Sequence, residues 1–351
     1  MNIEKLRVYF SISSVSLGLI ILGLFPFSYI YSIIFILAGF LANLPDSIFP
    51  ENNPYPQAIS MLGALSLILT PFSFNIKNSL IISLSIILAG LVTENIWNVY
   101  KPKRILLLDI TSFLVIIFCI LSIFQFFIYG IRARATLYRP NSLGMFMIFV
   151  LPFIIAGVRE EKGFRFVFYA IALLSGITGL VLTFSRGAWL GFAGSIIFFF
   201  LFYRNNKYLK YILFASVILL LVIALTVPLL EAKIFSIFTT DSSSNTKRLF
   251  LWQAAIKAIS LRPLTGYGAG TFPDVYKWFK PEGAELYAWY PHNIYLHILA
   301  DLGIIGLLVF SFLVFWISRK FYSDFMKTRS FYYLAALASF MAILVQGLVD
   351  Y

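Results

Sequence analysis

Two arginines and one histidine are the residues of this chain best placed to do chemistry. Arg186 stands in "TFSRGAWLG", Arg248 in "SSSNTKRLFLW" and His292 in "WYPHNIYLH", each where polar loop meets apolar run. A guanidinium holds its charge at any physiological pH and forks onto phosphate or carboxylate oxygens. An imidazole can take a proton from a hydroxyl near neutral pH. A third arginine-bearing stretch, "YGIRARATLYRPNSLG", adds Arg132, Arg134 and Arg139. Each has a bland reading too. Arg186 could snorkel at a membrane surface, Arg248 could be a solvated charge on an interfacial helix, and His292 could simply start a helix.

The remaining polar features are less suggestive. His297 lies five residues after His292, about 140° around a helix, so the two do not make a zinc pair at i, i+4. His297 and Asp301 do share a face, where a buried structural contact is expected. Gly266, Gly268 and Gly270 do not join a strand to a helix start, so they read as a backbone turn and not as a nucleotide fingerprint. Asp241, Asp274, Glu282 and Glu285 are scattered along the sequence, and a divalent ion needs several oxygens held together, so no metal or other cofactor is expected. The single Cys119 sits in an apolar run, which excludes a disulfide framework within the chain.

Composition identifies the elements that must position these groups. The chain is 60% hydrophobic and 12% charged, with mean hydropathy +0.90. A soluble domain has about 45–50% apolar and about 25% charged residues. The fold class is therefore an all-α polytopic membrane protein, with about eleven runs near the ~20 residues that cross a bilayer. We place them at 8–25, 27–44, 57–73, 79–93, 105–129, 141–158, 165–184, 188–203, 208–230, 293–318 and 331–350. Residues 1–230 are expected to form an N-terminal bundle of about nine helices, and 231–291 one long loop. Within that loop, Asn245 or Thr246 can cap an amphipathic helix whose stripe is Leu249, Trp252, Ile256 and Ile259. Arg248 then falls in its first turn, where the helix dipole disfavours a cation. Residues 292–351 are C-terminal helices.

Basic residues set the orientation. With the N-terminus inside, Lys5, Arg7, Lys101, Lys103, Arg104, Arg159, Lys162, Arg165, Arg204, Lys207, Lys210, Arg319, Lys320, Lys327 and Arg329 all face the cytoplasm. Short outside loops hold only Lys77, Arg132, Arg134, Arg139 and Arg186, and the long loop and His292 face outward. The net charge of +12 is thereby mostly topological, and nucleic-acid binding has no supporting motif.

"TFSRGAWLGF", "RLFLWQAAIKAISLRPLTGYGAGTF" and "PHNIYLHILADLGIIGLL", in that order around one outside loop, resemble the O-antigen ligase/polymerase family of bacterial membrane glycosyltransferases. "RPNSLGMFMIFVLPF" (Arg139–Phe153) resembles the family's preceding loop and helix. The resemblance implies a GT-C-like fold of about twelve membrane helices, one more than is visible here, so the C-terminal end is expected to be truncated. It implies metal-independent transfer of a glycan from an undecaprenyl-diphosphate carrier to a glycan, lipid A-core or protein acceptor. The site would face outward from the bacterial plasma (inner) membrane, among membrane lipids. On the same grounds, Arg186 and Arg248 would bind the donor diphosphate, Arg139 would be a further candidate for that anion, and His292 would activate the acceptor hydroxyl. Two other classes compete. A transporter or flippase for an anionic lipid-linked or solute substrate would show repeats or broken helices, and neither is visible in the sequence. A membrane scaffold would not need the arginines and His292.

The charge pattern makes a direct prediction. Single cysteines at 104, 162, 210 and 329 should resist an impermeant thiol reagent in intact cells, while cysteines at 240 and 282 should react. The reverse labelling would invert the topology and remove His292 from the outer face.

Overall fold

A computed structural model describes residues 54–86, 104–137, 139–202 and 243–350. All regular structure among them is helical: α1 Pro54–Leu69, extended by a 3-10 turn at Thr70–Phe72, α2 Ile76–Ile86, α3 Arg104–Tyr129, α4 Pro140–Glu160, α5 Phe164–Leu182, α6 Arg186–Phe202, α7 Ser243–Leu261, α8 Phe272–Phe279, α9 Ile294–Thr328 and α10 Phe331–Gln346. Among the described residues, α3, α4, α5 and α9 are long and apolar enough to cross a membrane, while α2, α6 and α10 are apolar but shorter. The expected spans at 8–25, 27–44 and 208–230 lie outside the described residues. Two compact units emerge, residues 1–107 with 246–319 and residues 108–245 with 320–351.

In the second unit α4 is the central helix. Leu143, Met147, Ile148, Leu151, Ile154 and Ile155 on it are all buried, and it packs against α5, α6 and α10. Pro152 removes one backbone donor from its middle. Ser339 of α10 donates its hydroxyl to the Phe149 carbonyl in the same turn, at 2.7 Å. Small residues let the helices close up, as expected where lipid gives no hydrophobic drive between them. A Cβ on Gly191 would stand 2.6 Å from the Ala342 carbonyl oxygen, so α6 and α10 meet backbone to side chain there.

The helices of this unit alternate in direction, so like ends gather. At one end Glu160 accepts from the Phe331 amide and the Ser330 hydroxyl, Tyr332 donates to Glu161, and Tyr169 and Arg165 both reach Asp109. That end also carries Arg159, Lys162, Lys327 and Arg329, all assigned to the cytoplasm by charge. Arg132, Arg139 and Arg186 sit at the other end.

In the first unit the central feature is a break in α9. Gly303 has φ 66° and ψ −165°, so the helix stops and restarts there. The sequence reading had expected no broken helix; a lone glycine in an apolar run is a weak signal of one. Four of the backbone groups beside the break are taken up by the preceding loop. Tyr267 and Gly268 donate to the carbonyls of Ala300 and Asp301, and Ile304 and Ile305 donate to those of Pro263 and Leu264. A Cβ on Gly303 would fall 2.2 Å from the Leu264 oxygen.

Gly303→Ala should therefore lower stability by more than about 2 kcal/mol, from left-handed strain together with that clash. Gly283, with φ 75° and open space around its Cβ position, isolates the strain alone. Thermal unfolding in detergent should show a clearly larger drop for Gly303→Ala than for Gly283→Ala. Equal drops would mean that the seam between loop and helix contributes nothing.

Candidate functional site

Arg186 is the first residue of α6, and the turn before it is tightly specified. Phe184 adopts φ 51°, unusual for a bulky side chain. Its ring is buried and stacks on Phe126 with centroids 5.7 Å apart. The Trp189 indole N–H donates to the Leu180 carbonyl at 3.0 Å, and the Thr183 hydroxyl accepts from the Ser185 amide at 3.1 Å. Arg132 completes the clamp. Its Nε donates to the Thr183 carbonyl at 3.0 Å, and its Nη2 donates to the Phe184 carbonyl at 3.1 Å and to Asn141 Oδ1 at 3.2 Å. A cation on the last carbonyls of α5 also complements the negative end of that helix dipole. One of the outside arginines thus has a structural reason to be there.

Arg139 immediately precedes α4, in extended conformation, with its carbonyl accepting from Ser142. The starts of α4 and α6 touch, since a Cβ on Gly144 would lie 2.7 Å from that of Ala188 and 3.2 Å from that of Ser185. Arg139 and Arg186 therefore occupy the same end of two touching helices. Asn141, between them, donates to Asp350, which is buried. Both arginines are partly exposed, and each begins a helix, where the dipole favours anions. Asn141 and Asp350 were not singled out by sequence reading, because neither stands in a motif with a chemical signature.

Arg248 and His292 belong to the other unit. Helix α7 starts at Ser243, so Arg248 is beyond the first turn and the expected conflict with the helix dipole does not arise. The buried side of α7 is also not the expected one. Leu251, Ala254, Ala255 and Ala258 face the core, Trp252 and Ile259 are partly covered, and Leu249 and Ile256 are exposed. Alanines win the inward side because Phe272 and Tyr276 of α8 already fill the space opposite. Tyr276 donates to the Glu285 carbonyl at 3.0 Å, and burial, reinforced by the Glu285 charge, pushes its phenol above the ordinary range.

His292 lies just ahead of α9 with φ 53°, a left-handed backbone at a non-glycine residue. Its ring meets Tyr290 edge to face, with centroids 4.7 Å apart. Asn293 caps the helix, its Oδ1 accepting from the amides of Tyr295 and Leu296, each at 3.0 Å. As expected, His297 and Asp301 meet within the fold, with Nε2 3.3 Å from Oδ2. The same carboxylate oxygen accepts from the Gly270 amide at 2.6 Å. The three glycines adopt φ of 65°, 106° and 71°, the backbone turn that their sequence suggested. Two of the loop's described acidic residues are engaged by protein. Asp274 accepts from Asn75 and pairs with Lys277, while Glu285 pairs with Lys247.

Part of the sequence is similar to known proteins. Residues 169–311 match the O-antigen ligase family. The chain is 25% identical over 229 residues to the ComP-specific O-oligosaccharyltransferase of Acinetobacter baylyi, covering 62% of this chain and 41% of that protein. It is 29% identical over 125 residues to a Rickettsia felis protein named as a candidate polysaccharide ligase, covering 32% of this chain and 29% of that one. The chain thus spans less than half the length of these curated relatives. Arg186, Arg248 and His292 all fall inside the matched segment, and Arg139 lies before it. With its long apolar helices the chain is a helical membrane protein, and its residues 169–311 resemble the O-antigen ligase family.

Proposed function

We propose that this protein transfers a glycan from an undecaprenyl-diphosphate-linked donor to an acceptor hydroxyl at the outer face of the bacterial plasma membrane, without a metal. The observation that carries the reading is backbone strain at one expected residue and close before another. Among the described non-glycine residues only Ala135, Phe184, His292 and Arg329 have positive φ. One of these is His292 and another sits two residues before Arg186. Left-handed backbone at such residues costs about 1–3 kcal/mol and persists where the surroundings enforce it, often at functional sites.

In this mechanism His292 accepts the proton of the acceptor hydroxyl as its oxygen bonds to the anomeric carbon. The bond from that carbon to the phosphate oxygen breaks, and the lipid diphosphate leaves with the electron pair. Arg186 and Arg248 hold the diphosphate and stabilise the charge that gathers on it, with Arg139 a further contact to the same anion. The acceptor in this reading is a glycan, a lipid A-core or a protein. A transporter reading draws support from the break at Gly303, but backbone of the chain itself bonds to four of the groups beside that break.

Arg186→Ala and Arg248→Ala should each abolish transfer while the protein still inserts and folds, and Lys should rescue only partly because it lacks the planar fork. Arg132→Ala should do the opposite, lowering the unfolding temperature while leaving measurable transfer. Full activity and native donor affinity in either of the first two variants would return that arginine to the topology anchors.

His292→Ala should lower turnover by about 10²–10⁴-fold with little change in donor binding. Transfer by the wild-type protein should continue in excess chelator. Purified protein with a defined lipid-linked donor tests both. Near-normal turnover of the alanine variant would remove the base, and loss in chelator reversed by magnesium or manganese would point to a different class of transferase.

A further inference from the structure

Helix α7 carries apolar residues on two of its sides, and the protein covers only one. Leu249 and Ile256 are seven residues apart, hence nearly aligned along the helix, and are 54% and 58% exposed. Leu261, which ends the helix, and Leu264 just past it are each 63% exposed. Single exposed leucines are ordinary, but four large aliphatic side chains within sixteen residues form a surface that some partner covers.

The charge around this surface has one sign. Between Asp241 and Asp274 the sequence holds Lys247, Arg248, Lys257 and Arg262, and no acidic residue. Lys247 is paired with Glu285. Lys257 is exposed, and Arg262, also exposed, lies over the Tyr267 ring at 4.9 Å. Bulky apolar side chains bordered by lysine and arginine are the composition of a helix lying in the surface of an anionic bilayer. A two-fold contact with a second copy would bring the same basic set against itself, which disfavours that occupant.

We infer that α7 lies in the bilayer–water interface, with Leu249 and Ile256 at the acyl boundary and Lys257 and Arg262 on the phosphates of anionic lipids. The inference stands apart from the transfer reaction, although it would also hold Arg248 at the depth of a lipid diphosphate.

Nitroxide labels on single cysteines test it in the full chain, with Cys119 replaced by Ala. In nanodiscs containing phosphatidylglycerol, Leu249→Cys and Ile256→Cys should be relaxed mainly by oxygen, and Glu282→Cys mainly by a water-soluble nickel chelate. Adding Lys257→Glu and Arg262→Glu should shift the first two labels toward nickel, as should discs of phosphatidylcholine alone. Nickel dominance at 249 and 256 in the phosphatidylglycerol discs would show a solvated helix and overturn the inference. Protection from both reagents would overturn it as well, by showing that protein covers the surface.

Discussion

Backbone polar groups in an apolar surrounding must be bonded, because nothing else nearby can accept or donate. Beside the break at Gly303, two carbonyls before it and two amides after it find their partners outside the helix. The segment Pro263–Gly268 supplies two amides and two carbonyls in matching register. Helix and loop therefore exchange hydrogen bonds much as two strands do. Neither half of this seam is satisfied without the other. Gly303 and Gly266 are at the seam because a side chain at either would strike opposing backbone, the Leu264 carbonyl in one case and the Asp301 carbonyl in the other.

A second constraint governs the arginines. A guanidinium in a short loop between apolar helices is costly, so each needs a local compensation. Arg132 finds it in the carbonyls at the end of α5 and in Asn141. Arg139 and Arg186 instead stand at helix starts, where backbone amides point outward and add to their field. Arg132 thus holds the turn before α6, while Arg139 and Arg186 stand at the same end of touching helices.

The long helices were legible in the sequence because apolar run length is the property that the bilayer selects. The expected spans 105–129, 141–158 and 165–184 differ from α3, α4 and α5 by only a residue or two at either end. The inward side of α7 was not legible. A reading by bulk chose Leu249, Trp252, Ile256 and Ile259, whereas the core took Leu251 and three alanines because aromatic residues of α8 supply the volume. The break in α9 was hidden for a related reason: its cause is a hydrogen-bonding partner about forty residues earlier. The motifs around Arg186 and His292 were readable, yet their strained backbones were not, since Phe184 and His292 give no local sign of positive φ.

The segment between His292 and the break holds only the residues from Ile294 to Leu302, too few to form a stable helix alone. It is fixed at both ends. Asn293 bonds its first amides, while Asp301 bonds the glycine turn through Gly270 and lies against His297. The Phe272 ring packs on His297, 6.0 Å between centroids, tying the same segment to α8. His292 therefore takes its place from a short helix whose stability is almost wholly tertiary. Its position is thus set by Asn293 at one end of that helix and by the contacts of His297 and Asp301 at the other.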